Sequence, residues 1–221
     1  MRIHRLAGTL ALALTVAACS SGSAATPSAA PPGASAAGSA SLANCPTSQP
    51  PAMATTDTRT VTITTAKGPI VLKVDGALSP IAAGNFVALA ECGYYDNVVF
   101  QRLVPGFVIQ GGDGEYGREP NVDMSRVGTG KLGYTIKDEP VTATYARGTV
   151  AMAKSPAPDS ADSQFFIVLG DVQLSPTYQI FGHVTTGMDV VDTIAAMPNS
   201  GGDSNLAVNP VAMTKVTVSN P

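Results

Sequence analysis

The residues best placed to do chemistry gather around a Pro105-Gly106 turn. In Phe100-Gln101-Arg102-Leu103-Val104-Pro105-Gly106-Phe107-Val108-Ile109-Gln110-Gly111-Gly112-Asp113, the alternation on either side of that turn lets Arg102, Phe107 and Gln110 converge on one surface. An arginine beside exposed apolar residues makes a poor core but a usable binding site. Its charge is permanent and its fork planar. Taken in isolation, Arg102 reads as one half of a structural ion pair; the string around it favours a site. Two further stretches extend the pattern. Val150-Ala151-Met152-Ala153-Lys154 leads through a Pro/Ser/Asp loop into Ser163-Gln164-Phe165-Phe166-Ile167, and Leu174-Ser175-Pro176-Thr177-Tyr178-Gln179-Ile180-Phe181-Gly182 follows.

Other chemistries find little to work with. Gly112-Asp113-Gly114-Glu115-Tyr116-Gly117 spells a dinucleotide-binding G-x-G-x-x-G, but no helical pattern follows it, and Asp113 and Glu115 would repel a pyrophosphate. It reads as a glycine-rich loop beside a strand. His183 has no partner for metal ligation or a nucleophilic triad, Ser163 has no nucleophile-elbow context, and the carboxylates are scattered over loops. No metal and no cofactor is expected. A net charge of -3 offers no broad basic surface, so nucleic acid is not expected as a partner.

The elements that must position these residues are mostly strands. With 22 Gly, 17 Pro and no Trp, the composition favours turns and a core of Val, Ile and Leu with a few Phe. Alternation from Arg59 to Thr65 and again over Ile70, Leu72 and Val74 predicts an opening hairpin about Lys67-Gly68. Further strands are predicted at Val98 to Arg102, Phe107 to Gln110, Thr149 to Ala153, Gln164 to Leu169, Ile180 to Val184 and Met213 to Val218. One helix starts at Ser79-Pro80, with Ser79 as its cap and Pro80 in the first turn. It buries Ala82, Phe86, Leu89 and Ala90 and ends at Gly93. A second helix covers Met188 to Ala196 and is stopped by Pro198. The fold class is all-β with two helices, a closed barrel or a sandwich.

The three chemistry-bearing stretches, in this order and at these spacings, resemble the cyclophilin family of peptidyl-prolyl isomerases. The similarity runs from about Thr58 to Ser219 and implies a closed eight-stranded antiparallel β-barrel capped by two α-helices. It also implies catalysis by Arg102, a proline pocket walled by Phe107, Val108, Phe166 and Leu174, and polar groups near the substrate backbone at Gln110 and Gln164. Ala153 and Lys154 match the segment whose backbone pairs with the peptide. Four positions depart from well-known members. Gln101 stands where His is common, which need not abolish a reaction without proton transfer. Gln173 replaces an aromatic residue that helps bind cyclosporin, so weak inhibition is expected. Tyr178 replaces a pocket His, and Lys154 stands where Asn is frequent, adding a positive charge at the rim.

The N-terminus directs where this happens. Arg2 and Arg5 precede an apolar run from Leu6 to Ala18 that is too short to span a bilayer and reads as an export signal over residues 1–18. Val16-Ala17-Ala18-Cys19 resembles the lipobox of bacterial lipoproteins, so Cys19 is expected to be lipidated and to hold the protein at a membrane; ordinary cleavage after small residues is the alternative. Residues 19–57 are rich in Ala, Ser, Pro and Gly and are expected to form a flexible tether, with the isomerase domain over 58–221. Cys45 and Cys92 then remain as a pair in an oxidising compartment, compatible with a disulfide or with two buried thiols. The expectation is a monomeric, extracytoplasmic prolyl isomerase acting on X-Pro bonds of exported or surface proteins. Its rival is a proline-peptide binding or chaperone module with weak or no catalysis.

Overall fold

The computed structural model describes residues 42–220. The expected signal segment, the lipidation site at Cys19 and the tether as far as residue 41 lie outside the described residues. The strands are β1 Thr58–Thr65, β2 Gly68–Asp75, β3 Val98–Val104, β4 Val108–Gly111, β5 Thr149–Met152, β6 Phe165–Val168, β7 Ile180–Thr186 and β8 Leu206–Ser219. They close into one antiparallel barrel in the order β1-β2-β7-β5-β6-β4-β3-β8. Helices α1, Pro80–Glu91, and α2, Met188–Ala195, pack against it.

Period-two alternation decides what lies inside. Val61 and Ile63 of β1, Ile70, Leu72 and Val74 of β2, Val150 and Met152 of β5, and Phe165 and Ile167 of β6 fill one continuous core. Helix α1 adds Ala82, Ala83, Phe86, Leu89 and Ala90 to it. The Phe86 ring packs 4.6 Å from that of Phe181, 5.1 Å from Tyr95 and 5.2 Å from Phe165, centroid to centroid. The helix stops as the Gly93 spacing predicts. Gly93 takes a positive φ, its N–H donates to the Ala90 carbonyl, and the Tyr94 N–H donates to Leu89, which satisfies carbonyls that the last turn leaves open.

Its start differs from the sequence reading. Ser79 makes no side-chain cap, and its Oγ is buried without a hydrogen-bond partner among the described residues. The Glu139 carboxylate caps the helix instead, accepting the N–H of Ile81 at 2.8 Å and of Ala82 at 2.9 Å. A carboxylate there satisfies two orphan donors and faces the positive end of the helix dipole. No local pattern near Ser79 announces a cap that arrives from 58 residues away.

The expected tether also ends sooner than residue 57. Among the described residues, Leu42–Asn44 form a 3-10 turn, Cys45 is joined to Cys92 by a disulfide, and Pro50 is buried. The Met53 N–H donates to the Pro80 carbonyl, and the Met53 side chain packs against the core. This strap, residues 42–57, is held by backbone contacts that hydropathy does not reveal. A Cβ at Gly84 would overlap the Pro51 carbonyl oxygen, and one at Gly76 the carbonyl of Ala54. Gly84→Ala is therefore expected to destabilise the domain by about 1–2 kcal/mol in urea unfolding, although alanine alone would favour the helix by ~1 kcal/mol. A more stable variant would show that the strap does not sit on α1.

Candidate active site

A row of directly opposed residues crosses four strands. Arg102 on β3 faces Gln110 on β4, Gln110 faces Phe166 on β6, and Phe166 faces Ala151 on β5. Opposed residues share a face of a sheet. These side chains therefore stand on the side away from Ile109, Phe165, Ile167 and Val150, which fill the core. On this side lies a second apolar cluster of Val108, Tyr145, Ala151, Phe166, Val168 and Ile180, joined by Phe107, Ala153, Leu174 and Tyr178.

A bulge sets the aim of Arg102. Phe100 pairs with Gly111, but Arg102 pairs with Gln110, so Gln101 is an additional residue on β3. Without it, Phe100 and Arg102 would point the same way. With it, Phe100 and Leu103 both enter the core and Arg102 turns to the opposite face, half-buried. Gln101 is itself 1% exposed and stays behind the wall, its amide 2.9 Å from that of Gln164. Its departure from the residue expected there thus touches the support of the site and not its surface.

Arg102, Phe107, Val108, Gln110, Ala153, Lys154, Phe166, Leu174 and Tyr178 line one cavity of about 210 Å³. Nine of the ten residues named from the sequence for the peptide site come together here. Gln164 instead lines an adjoining cavity with Gln110, Ala153 and Lys154; it is largely buried, its Oε1 accepts from Gln110 Nε2 at 3.1 Å and its Nε2 donates to the Gly128 carbonyl at 3.1 Å. The Ala153 N–H is likewise committed internally, to the Gln164 carbonyl at 2.8 Å. Among the described residues, Arg102 makes no ion pair and no side-chain hydrogen bond. A structural ion-pair role therefore has no partner there.

Lys154 corrects an expectation. Its Nζ lies 2.5 Å from the Asp138 carboxylate and its side chain is only 7% exposed, so it presents no free charge at the rim. A partner 16 residues upstream in a loop leaves no trace in local sequence.

The far wall is set by Tyr145. Its hydroxyl donates to the Tyr178 carbonyl at 2.9 Å and accepts the Tyr178 N–H at 3.1 Å, which fixes the segment carrying Leu174 and Tyr178. Burial holds the Tyr145 phenol above its ordinary pKa, so it remains a neutral donor. The Tyr178 ring then meets Phe166 edge-on at 5.6 Å. Gln173 lines an adjoining cavity of about 460 Å³ with Lys154, Leu174 and Tyr178.

Asp113 organises the opposite side. It is 1% exposed and accepts four backbone N–H groups, from Glu115 and Tyr116 on Oδ1 and from Gly128 and Gly130 on Oδ2. The glycine-rich stretch is thus a loop folded around an inward carboxylate. His183 is exposed on β7. Among the described residues no group of three His, Cys, Asp or Glu side chains is placed to hold a metal ion.

Residues 60–218 match the sequence profile described as cyclophilin type peptidyl-prolyl cis-trans isomerase. The chain is 36% identical to the peptidyl-prolyl cis-trans isomerase of Acinetobacter baylyi over 72% of its length and 84% of the relative. It is 33% identical to peptidyl-prolyl cis-trans isomerase A of Dickeya dadantii, over 76% and 88%. A cyclophilin type peptidyl-prolyl cis-trans isomerase crystal structure from Cryptosporidium parvum superposes with a TM-score of 0.63 at 29% identity, covering 74% of this chain and 99% of that one. The same protein solved in the presence of the dipeptide Ala-Pro gives 0.62 at 28% identity, covering 73% and 99%.

Proposed function

The chain belongs to the cyclophilin-type peptidyl-prolyl cis-trans isomerases, and from that premise we propose that it turns over X-Pro bonds in exported or surface proteins, with Arg102 as the catalytic group. The observation that carries the role of Arg102 is a guanidinium that no described residue pairs with, on the wall of a notch lined by Phe107, Val108, Phe166 and Leu174. That the related protein of Cryptosporidium parvum was solved in the presence of Ala-Pro supports proline as the occupant.

The bond dictates what the site must do. Resonance holds an amide planar against a rotation barrier of roughly 18–20 kcal/mol. As rotation breaks the resonance, the carbonyl loses charge and the proline nitrogen gains a lone pair, so a donor aimed at that nitrogen favours the transition state over the ground state. The Arg102 fork supplies such a donor and can also keep the neighbouring carbonyl in register. The twisted amide is less dipolar than the planar one, so the apolar wall favours it further. Magnitudes require both parts. A ten-thousand- to million-fold acceleration needs roughly 5–8 kcal/mol, whereas one charge-assisted hydrogen bond gives about 1.5–3 kcal/mol.

Exchange spectroscopy of a short Ala-Pro peptide with the soluble domain tests this reading. Line exchange between cis and trans signals at substoichiometric protein is expected, and no exchange at concentrations where the peptide binds would leave a binding module instead. The place of action rests on the lipobox-like end of the export signal, from which lipid on Cys19 would hold the enzyme outside the cytoplasm at a membrane surface. In cells producing the full chain, Cys19→Ala is expected to move the protein from the membrane fraction to the soluble one. Unchanged sedimentation would remove the anchor from this account.

A further inference from the structure

Lys154 stands where three cavities meet: the notch with Arg102, the one with Gln173, and a third lined by Lys131, Asp162 and Gln164. A free ammonium at that junction would add a second positive charge next to the one that Arg102 presents in the notch. It is not free, because Asp138 holds it at 2.5 Å.

Asp138 has little freedom to let go. Its own N–H donates to Asp159 Oδ1 at 2.8 Å, and the Asp159 N–H donates back to Asp138 Oδ2 at 3.0 Å. On one side, Lys137 pairs with Asp159 at 2.7 Å, its N–H donates to Gln49 of the strap at 2.9 Å, and its carbonyl accepts from Gln179 Nε2 at 2.9 Å. On the other side, Glu139 is fixed by the α1 N-terminus and by Gln179 at 3.0 Å. Both neighbours of Asp138 are thus tied to the rigid body, including to the disulfide-anchored strap.

We propose that Asp138 is a specificity-determining residue of the isomerase: by neutralising and immobilising Lys154 it leaves Arg102 as the charge the peptide meets in the notch, and so keeps the groove from sorting peptides by their acidic or basic residues. This rests on the isomerase reading above. Removing the carboxylate exposes one positive charge at the cavity junction, whereas removing the ammonium exposes one negative charge, so the two changes act with opposite sign.

The test compares kcat/KM for X-Pro peptides carrying Glu, Ala or Lys at the residue before proline and at the one preceding it. Asp138→Asn is expected to raise the Glu-to-Lys ratio about three- to tenfold at one of these positions, the scale of one new charge near a protein surface. Lys154→Gln is expected to lower the same ratio, and both shifts should shrink in ~1 M salt, where the Debye length is about 3 Å. Ratios within twofold of the parent in both variants, or shifts of the same sign, would overturn the proposal. If one variant fails to fold, the other still decides by its sign. Failure of the parent enzyme to turn over the Ala peptide would instead overturn the isomerase reading.

Discussion

Replacing Arg102 with alanine is expected to lower kcat for a short X-Pro peptide by about ten- to a hundredfold, the loss of one charge-assisted hydrogen bond made in the transition state. Peptide Kd should change by no more than about threefold, because the apolar wall of Phe107, Val108, Phe166 and Leu174 remains. The residual activity matters as much as the loss. The wall still favours the less dipolar twisted amide, so the variant should stay well above the uncatalysed rate. Arg102→Lys keeps the charge but not the fork, and should fall between the two. Exchange spectroscopy gives kcat and titration gives Kd on the same peptide. Equal losses in both would make Arg102 an anchor for ground-state peptide, and the mechanism would need another donor.

Asp113→Ala is expected to cost about 3 kcal/mol of folding stability, since it removes at once the buried acceptor of four backbone donors. For a domain of this size that is a fall of roughly 6–12 °C in melting temperature. Activity should suffer too. Asp113 fixes Gly128, the Gly128 carbonyl holds the Gln164 amide, and Gln164 holds Gln110 on the notch wall. Asp113→Asn retains one carbonyl acceptor and should lose about half as much. Denaturant titration of the three proteins checks the order, and an alanine variant as stable as the parent would mean that water replaces the carboxylate without loss.

Much of this was readable from the chain. Alternation placed the strands within a residue or two wherever both faces were busy, as at β6, where Phe165 and Ile167 face the core and Phe166 faces the notch. Gly93 marked a helix end because only a residue tolerant of positive φ suits that position. The last strand, expected over Met213 to Val218, is longer than its alternation suggests, and it contains Pro210. The strand in fact begins at Leu206, and the proline falls where pairing with β3 jumps from Val211 to Leu206, so its missing N–H costs no ladder bond.

What escaped the sequence shares a physical cause. The Glu139 cap, the Lys154–Asp138 pair and the seating of residues 42–57 are contacts between segments far apart along the chain. Periodicity reports which face a residue turns to the core, and composition reports what can be buried. Neither reports which carboxylate arrives at which amine. The bulge at Gln101 is the intermediate case. The strand was visible, but the extra residue that turns Arg102 toward the notch becomes apparent only when the partner strand fixes the register.

The bond between Cys45 and Cys92 ties the protein's solidity to the chemistry of its surroundings. A preparation made in a reducing cytosol would carry an unbuckled strap, free to lift from Gly76 and Gly84 and to let go of the Lys137 backbone through Gln49. Catalysts harvested from the two environments would then be the same polypeptide with different tolerance of heat and proteases, and air oxidation alone would turn one into the other.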